Sequence, residues 1–563
     1  LFERFDNMVW GGCVRDSEGL FTSFAPDATV NPDNNPTART GRENAFVKVS
    51  ATTPGSAFIQ STFTSGYTVS QRHAVSDGYI ASRGLGAYNY LYRCQEFQGC
   101  ISAGACDATR GYVDLVSFGK LNEGLYKVEV NFDVAYRYGS TDELMFQISK
   151  SGVIKSVTID GKAMELETTL DGNNTYTHAF IGKCIMGKKN LTPQTSVNDA
   201  SGWHSVRVEL WNMCEVSTLT LLGATTDASL KHGFYLDNVE VKAQKMPRGN
   251  FRVLYMNIQD GMWADQGNNF DKFVAWVRKY DPDVCVWCEA RTLYRTGTDI
   301  SIPDAERILC KTMGSATDKG WETLAARYGH SHYAISGFRD NYPQVITSKY
   351  PITTVSRMTN ASGGKNIQHG AGHFKVNVAG KEINIVTLHL WPHLYSPSSN
   401  TLQSAANLEG RDHQVVEINA ILSQTNPDKN GMFLMMGDHN AISRIDSWYY
   451  DYNGLYEVVS TSWGNTPLEF TDGRYKEKWY QAHDAIIANG AYEDMIRAMW
   501  PGYFITSTGG AGRIDFMYGT HAMTEKLVNM TSVHDSFSTI TSSSVGGLSQ
   551  PSDHLPIIAD FNL

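Results

Sequence analysis

The feature that most constrains the fold of this chain is a change of hydrophobic period near residue 245. Before it, apolar residues recur at every second position in short runs broken by Gly, Asp, Asn and Ser clusters. Leu125-Tyr126-Lys127-Val128-Glu129-Val130-Asn131-Phe132 and Ser205-Val206-Arg207-Val208-Glu209-Leu210 alternate in this way, the pattern of strands wet on one face. Phe234-Tyr235-Leu236-Asp237-Asn238-Val239-Glu240-Val241 reads as the closing strand of the region. With hardly any helical periodicity, residues 1–245 are expected to form an all-β, jelly-roll-like sandwich. Ala243-Gln244-Lys245-Met246-Pro247-Arg248-Gly249-Asn250 carries the Pro and Gly of a linker. Beyond it, strand-like runs alternate with helical ones. Phe270, Phe273, Val274 and Val277 recur at helical spacing behind Asn268 and Asn269 as caps, and Asp281-Pro282 ends that helix. Residues 251–563 are therefore expected to be α/β. A chain of 563 residues is too long for one core at roughly 100–200 residues per domain, which agrees with two domains.

Composition narrows the partners. A net charge of −10 argues against a surface that wraps polyanions, because non-specific nucleic-acid affinity comes mainly from Lys and Arg neutralising phosphates. No run of about eighteen or more apolar residues is present, so no membrane span is expected. The chain opens on Leu1-Phe2-Glu3, as a trimmed export signal or a cloning boundary would leave it; export is the expectation. Cys94, Cys100 and Cys106 are disulfide candidates with open connectivity. Cys285 and Cys288 lie in a strand-like run, where positions three apart face opposite sides, and read as small core residues.

Several runs of strand-like residues end in tight polar clusters that hold a carboxylate. Met432-Phe433-Leu434-Met435-Met436 feeds Gly437-Asp438-His439-Asn440, and Ser552-Asp553-His554-Leu555 precedes another apolar run. Together with Tyr255-Met256-Asn257-Ile258-Gln259, Cys288-Glu289-Ala290, Thr387-Leu388-His389-Leu390 and Arg513-Ile514-Asp515-Phe516, they resemble the endonuclease/exonuclease/phosphatase superfamily, the deoxyribonuclease I-like metal-dependent phosphoesterases. Their order along the chain is the order in that family. The resemblance covers 251–563 and says nothing about the first 245 residues; it implies a four-layer α-β-β-α sandwich.

Phosphoester hydrolysis needs a divalent ion, a group to position the attacking water, and donors for the transition state's extra charge. The resemblance implies that Glu289 binds the metal, with Asn257 supporting the metal shell or the phosphate and Asp553 close by. Hard oxygen ligands suit Mg²⁺ or Mn²⁺. Where many relatives have an acidic residue this chain has Gln259, a poorer ligand, so one ion is expected rather than two. Asp438 aligns or deprotonates the water, and Asn440 donates to a phosphoryl oxygen. His389 and His554 match the family's two phosphate-contacting histidines, with Asp515 orienting His554. His439, where relatives carry an apolar residue, is an additional substrate or metal contact. His393, in His389-Leu390-Trp391-Pro392-His393, follows a spacing of the family's phosphatase branch that grips a further phosphate. Arg411 lies among Leu408, Val415, Ile418 and Leu422 on one helical face; it is either a phosphate clamp or half of a structural salt bridge. The aromatic-rich stretch after Asn440, including Trp448, Tyr449, Tyr450, Trp479 and Tyr480, is expected mainly to pack a core and in part to wall the cleft.

The sequence thus predicts an exported metal-dependent phosphoesterase acting on a phosphate mono- or diester of a glycan, inositol or lipid headgroup, with a glycan- or surface-binding module in front. A secreted nuclease is the alternative, with nucleic acid the less favoured partner. A non-catalytic surface binder with a relic hydrolase domain is the third.

Overall fold

The computed structural model describes the strands named below up to residue 116, and then residues 121–136, 144–164, 166–169, 178–182, 203–223, 232–259, 271–290, 320–340, 342–391, 405–453, 473–508, 512–538 and 552–563. The chain divides into two compact units, one of Leu1–Asp171 with Thr177–Met246, the other beginning at Pro247 and ending at Leu563.

In the first unit every strand pairing is antiparallel, and no helix occurs among the described residues. The two alternating segments lie in Tyr126–Tyr136 and Trp203–Met213, which pair with each other. Val128, Val130, Phe132, Val206, Val208 and Leu210 are buried. The closing strand is longer than its sequence signal: His232–Lys245 pairs with Tyr126–Tyr136 as far as Lys245. The predicted linker is corrected accordingly. Ala243, Gln244 and Lys245 belong to that strand, and Met246 N still donates to Leu125 O at 2.9 Å. A second antiparallel sheet of eight strands runs from Leu166–Thr169 at one edge to Ala57–Ile59 at the other.

The second unit holds two six-stranded sheets. Its strands are β1 (Phe251–Asn257), β2 (Val284–Cys288), β3 (His332–Ile335), β4 (Val345–Ser348), β5 (Ile352–Asn360), β6 (Asn366–Val378), β7 (Lys381–His389), β8 (Phe433–Asp438), β9 (Tyr492–Asp494), β10 (Asp515–Thr520), β11 (Leu527–Ser532) and β12 (Ile557–Phe561). The first sheet has the order β3-β4-β2-β1-β12-β11 and the second β5-β6-β7-β8-β10-β9. Each has one parallel pair at its centre, β1 with β2 and β7 with β8. Parallel neighbours need a long crossover. Helix α1 (Asp271–Tyr280) lies between β1 and β2 in the chain, and α3 (Ala405–Thr425) between β7 and β8.

α1 covers the range expected from its periodicity and stops at Asp281, which has a left-handed φ of 49°. Asn268, Asn269 and Phe270 lie outside the described residues. Phe273 of α1, and Trp321 of α2 (Gly320–Arg327), pack on Trp287 of β2 with ring centroids 5.0 and 6.1 Å away. Ile418, Ile421 and Leu422 of α3 form one apolar cluster with Val386, Leu388, Met435, Phe516 and Tyr518 of the second sheet. Helices thus cover the outer face of each sheet, and the inner faces meet through Cys288 Sγ against Leu388 O at 3.8 Å. This α/β arrangement is consistent with the expected α-β-β-α layering. The central strands are buried on both faces, as sheets covered on two sides must be. Cys285 and Cys288 are free, buried thiols, as read from the sequence. No helix among the described residues is long and apolar enough to cross a membrane.

Candidate active site

The period of two along a strand decides which side chains reach the space between the sheets. In β7, β8 and β10, Val386, Leu388, Met435, Phe516 and Tyr518 face the helices. Their odd-even partners His389, Asp438 and Asp515 therefore face the first sheet, where Tyr255 and Asn257 of β1 meet them. Register does the rest: His389 is opposite Asp438, and Asp438 opposite Asp515. Strict alternation would send Glu289 outward, because Cys288 already faces the second sheet. A left-handed φ of 57° at Glu289 breaks the alternation and brings it to the cleft. Asn440 and Gln259, also beside the cleft, have φ of 47° and 39°. Three non-glycine residues in this sparsely populated region around one site mark strain held by the surrounding fold. The C-terminal segment is tied in by Ser552, whose hydroxyl donates to Asn257 O at 2.6 Å and accepts from His554 N at 3.0 Å.

At the centre, the Asn257 amide donates to Glu289 Oε1 and to Asp438 Oδ2, each at 3.0 Å. His389 Nε2 lies 3.6 Å from Asp438 Oδ2 and 3.9 Å from Glu289 Oε1. His554 Nδ1 is 2.7 Å from Asp515 Oδ2, and its Nε2 is 3.7 Å from both Asp438 Oδ2 and Asp553 Oδ1. Asp515 is held in turn by Tyr255 Oη at 2.6 Å and Ser507 Oγ at 2.9 Å. Asn440 N donates to Asp438 Oδ1 at 2.7 Å, and its side chain donates to Leu390 O at 3.1 Å.

Environment separates the two imidazoles. Burial pushes His389 well below the ordinary histidine value, and the nearby His369 and His554 rings add to this. Burial alone would also lower His554, but the Asp515 carboxylate outweighs it and holds the ring protonated well above that value. Asp438 is raised well above the usual carboxylate range, first by burial and then by Asp515. A neutral histidine, a cationic histidine and a basic carboxylate converge on one point, the separation of acid and base roles that hydrolytic sites use.

Glu289, His389 and Asp438 each offer a ligand atom, all within 4.8 Å of one another. The Glu289 and Asp438 carboxylates face each other across a neutral amide, and neither Lys nor Arg occurs among the described residues lining the cleft. Two carboxylates and an imidazole this close together fit a hard divalent cation. The second cluster, Asp438, Asp515 and His554, is less suited, because Asp515 already accepts from Tyr255, Ser507 and His554.

The structure thus gathers Asn257, Glu289, His389, Asp438, Asn440, Asp515, Asp553 and His554. Two expected site residues lie outside the described cleft lining. His439 has the opposite strand parity from Asp438, is fully buried, donates from Nδ1 to Gly437 O and stacks on His483 at 5.0 Å, so it contacts neither a cleft ligand nor a metal there. Arg411 does not line the cleft. Its guanidinium lies 3.3 Å from the centre of the Trp479 ring and donates to Asn440 O, so it braces that turn. His393 lies outside the described residues. Tyr449, Tyr450, Trp479 and Tyr480 are buried, as expected for core packing.

Sequence reasoning missed Tyr255 and Ser507 behind Asp515, and a side of the cleft built from Asp340, Tyr342, Gln368, His369 and Trp391. Tyr255 and Trp391 sat within the motifs already noted and two positions from a site residue, which was a usable signal. His369 gave none.

No family model and no curated protein matches the chain. Among solved structures it is similar to an AP endonuclease from Archaeoglobus fulgidus, at 17% identity and a TM-score of 0.36 over 56% of this chain and 100% of that one. It is also similar to the 3′ phosphatase NExo from Neisseria bound to a product DNA hairpin, at 15% identity and a TM-score of 0.34, with the same two coverages. A third is TDP2 from D. rerio complexed with a single-strand DNA product, at 10% identity and a TM-score of 0.32, over 56% of this chain and 99% of that one.

Proposed function

We propose that the unit from Pro247 to Leu563 is a metal-dependent phosphoesterase, with one Mg²⁺ or Mn²⁺ held by Glu289 and Asp438. The ion, when bound, supplies positive charge to the phosphoryl oxygens. The remaining roles belong to the chain. Asp438 aligns the attacking water and takes its proton. His554, kept cationic by Asp515, stands beside the phosphoryl group and is the proton donor for the leaving oxygen. Neutral His389 and the second N–H of the Asn440 amide donate to non-bridging oxygens. Tyr255 and Ser507 fix Asp515, and through it the tautomer and orientation of His554.

The substrate reading rests on the charge of the cleft. A cavity of about 700 Å³ is lined by Glu289, Asp340, Asp438 and Asp553 and by no described Lys or Arg. The stretches 260–270, 392–404, 454–472, 509–511 and 539–551 contain neither Lys nor Arg in sequence, whereas 291–319 carries Arg291, Arg295, Arg307, Lys311 and Lys319. A polyanion gains its affinity from such cations, so this lining favours a single phosphate linking uncharged groups: a glycan, inositol or lipid-headgroup ester. Nucleic acid is the rival substrate, and the solved structures holding DNA put it in the same test. The full chain is assayed on phosphate monoesters, lipid-headgroup and polyol diesters and duplex DNA, with and without Mg²⁺, for the parent and for His554→Ala. The expected result is Mg²⁺-dependent cleavage of the polyol or headgroup esters, lowered in the variant by about 10²–10⁴-fold. Faster cleavage of DNA, falling steeply with salt, would replace this substrate class by the nuclease; equal rates for parent and variant would remove His554 from the mechanism.

In the same reading the antiparallel sheets of the first unit form a jelly-roll-like sandwich that binds a glycan or surface, and the protein is exported. The absence of any described helix in that unit supports the all-β part. Retention on immobilised glycans together with failure to bind Mg²⁺ or Mn²⁺ would instead favour the non-catalytic surface binder.

A further inference from the structure

Beside the catalytic cluster, three rings form a continuous stack. Trp391 lies on His369 with centroids 5.3 Å apart at 29°, and His369 lies on His389 at 4.2 Å and 27°. Tyr342 meets His369 edge-on at 5.1 Å. His369 is only 4% exposed, and its Nδ1 donates to Asp340 Oδ2 at 2.6 Å. Its Nε2 is buried with no hydrogen-bond partner among the described residues, although the ring lines the cleft. Leaving a buried nitrogen unpaired costs free energy, so this atom calls for a partner that arrives with the substrate.

The lobe is rigidly built. Glu417, fully buried on α3, accepts Gln368 N through one oxygen at 2.8 Å and Trp391 N through the other at 2.7 Å. Gln344 donates to His369 O at 3.2 Å. The lobe offers an imidazole nitrogen, the Gln368 amide and an indole face, and among the described residues lining the cleft its ionised neighbours are carboxylates. An anion would meet the Asp340 carboxylate beside His369, and one histidine with one carboxylate is too small a donor set for a metal. Hydroxyl groups and C–H faces suit all three features.

We infer that His369, positioned by Asp340 and flanked by Trp391 and Gln368, is a specificity-determining residue that holds the uncharged, polyhydroxylated alcohol of the ester next to the phosphoryl centre. This rests on the phosphoesterase reading above for its place in the reaction, but the binding itself is measurable without turnover.

The full chain, with Mg²⁺, is titrated with myo-inositol, with a methyl glucoside and, separately, with inorganic phosphate, using ligand-observed saturation-transfer NMR. The same is done for His369→Gln and for Trp391→Leu, at the half-buried end of the stack, with melting temperatures to verify folding. Turnover is compared on an aryl diester of inositol and on a diaryl phosphate. The parent is expected to bind at least one polyol, and each folded variant to bind it at least ~ten-fold more weakly, about one lost buried hydrogen bond or ring contact. The ratio of kcat/KM for the inositol ester to that for the diaryl ester is expected to drop by a similar factor. No polyol binding by the parent, loss of phosphate in place of polyol binding, or an unchanged ratio would overturn the assignment. Cleavage of both esters with an unchanged ratio removes the lobe and keeps the phosphoesterase; polyol binding through His369 with neither ester cleaved does the reverse.

Discussion

Asp515 is the residue on which the proposed chemistry turns, because it sets the charge of His554 while itself lying outside the cleft lining. Asp515→Asn keeps the volume and removes the charge, so it leaves the imidazole short of the anion that holds its proton. Activity is expected to fall by about 10²–10⁴-fold with substrate binding little changed, read as kcat against KM. Tyr255→Phe removes one of the bonds to Asp515 and is expected to cost less, about ten-fold, consistent with one buried hydrogen bond. Retained kcat in Asp515→Asn would detach His554 from the mechanism. At this scale the sequence was readable wherever a strand ran directly into its polar end, as for Asp438 and His389. It misled at His439, since adjacency in the chain is opposition across a strand. His369 was illegible because its meaning comes from Asp340, twenty-nine residues away, and because Gly370, with φ of 75°, interrupts the alternation beside it.

Among the elements, the two parallel pairs β1/β2 and β7/β8 decide where the site forms, for each brings two strand ends to the same edge of its sheet. Gly437 in β8 allows that approach: a Cβ there would lie 2.0 Å from Leu388 O of β7, a backbone atom that cannot yield cheaply. Gly437→Ala is expected to destabilise the protein by about 3 kcal/mol, seen as a lower denaturation midpoint; an unchanged midpoint would show that β7 and β8 do not need this contact. The loop before β2 is fastened by His330, whose ring bridges Pro282 O and Thr347 Oγ1, each at 2.9 Å. Burial lowers this histidine from 6.5 to about 4. A depressed histidine favours the neutral folded form, so its contribution is full above 6.5 and is lost as the pH falls towards about 4. Up to about 3 kcal/mol is expected to disappear over that window, with a flatter profile in His330→Gln; identical profiles would remove the residue from the acid response. The helical and strand periods announced α1 and the central strands. The extension of His232–Lys245 through the expected linker was hidden, because Ala243, Gln244 and Lys245 pair by backbone bonds that carry no hydrophobic signal.

For the whole molecule, the chain divides into two compact units with a boundary between Met246 and Pro247. Charge was legible: the net −10 of the chain is repeated locally in a cleft lined by carboxylates without a described Lys or Arg. That surplus predicts stabilisation by cations. Mg²⁺ or Mn²⁺ is expected to raise the melting temperature in proportion to RT ln(1 + [L]/Kd), and Glu289→Gln to abolish the rise; an equal rise in the variant would place the ion elsewhere. The most direct test of the central claim is the rate at which the full chain hydrolyses a simple diaryl phosphate diester in Mg²⁺, after EDTA, and after Mg²⁺ is restored. The account predicts turnover that stops with the chelator and returns with the metal. Turnover undiminished by EDTA, or none with either Mg²⁺ or Mn²⁺, would contradict it.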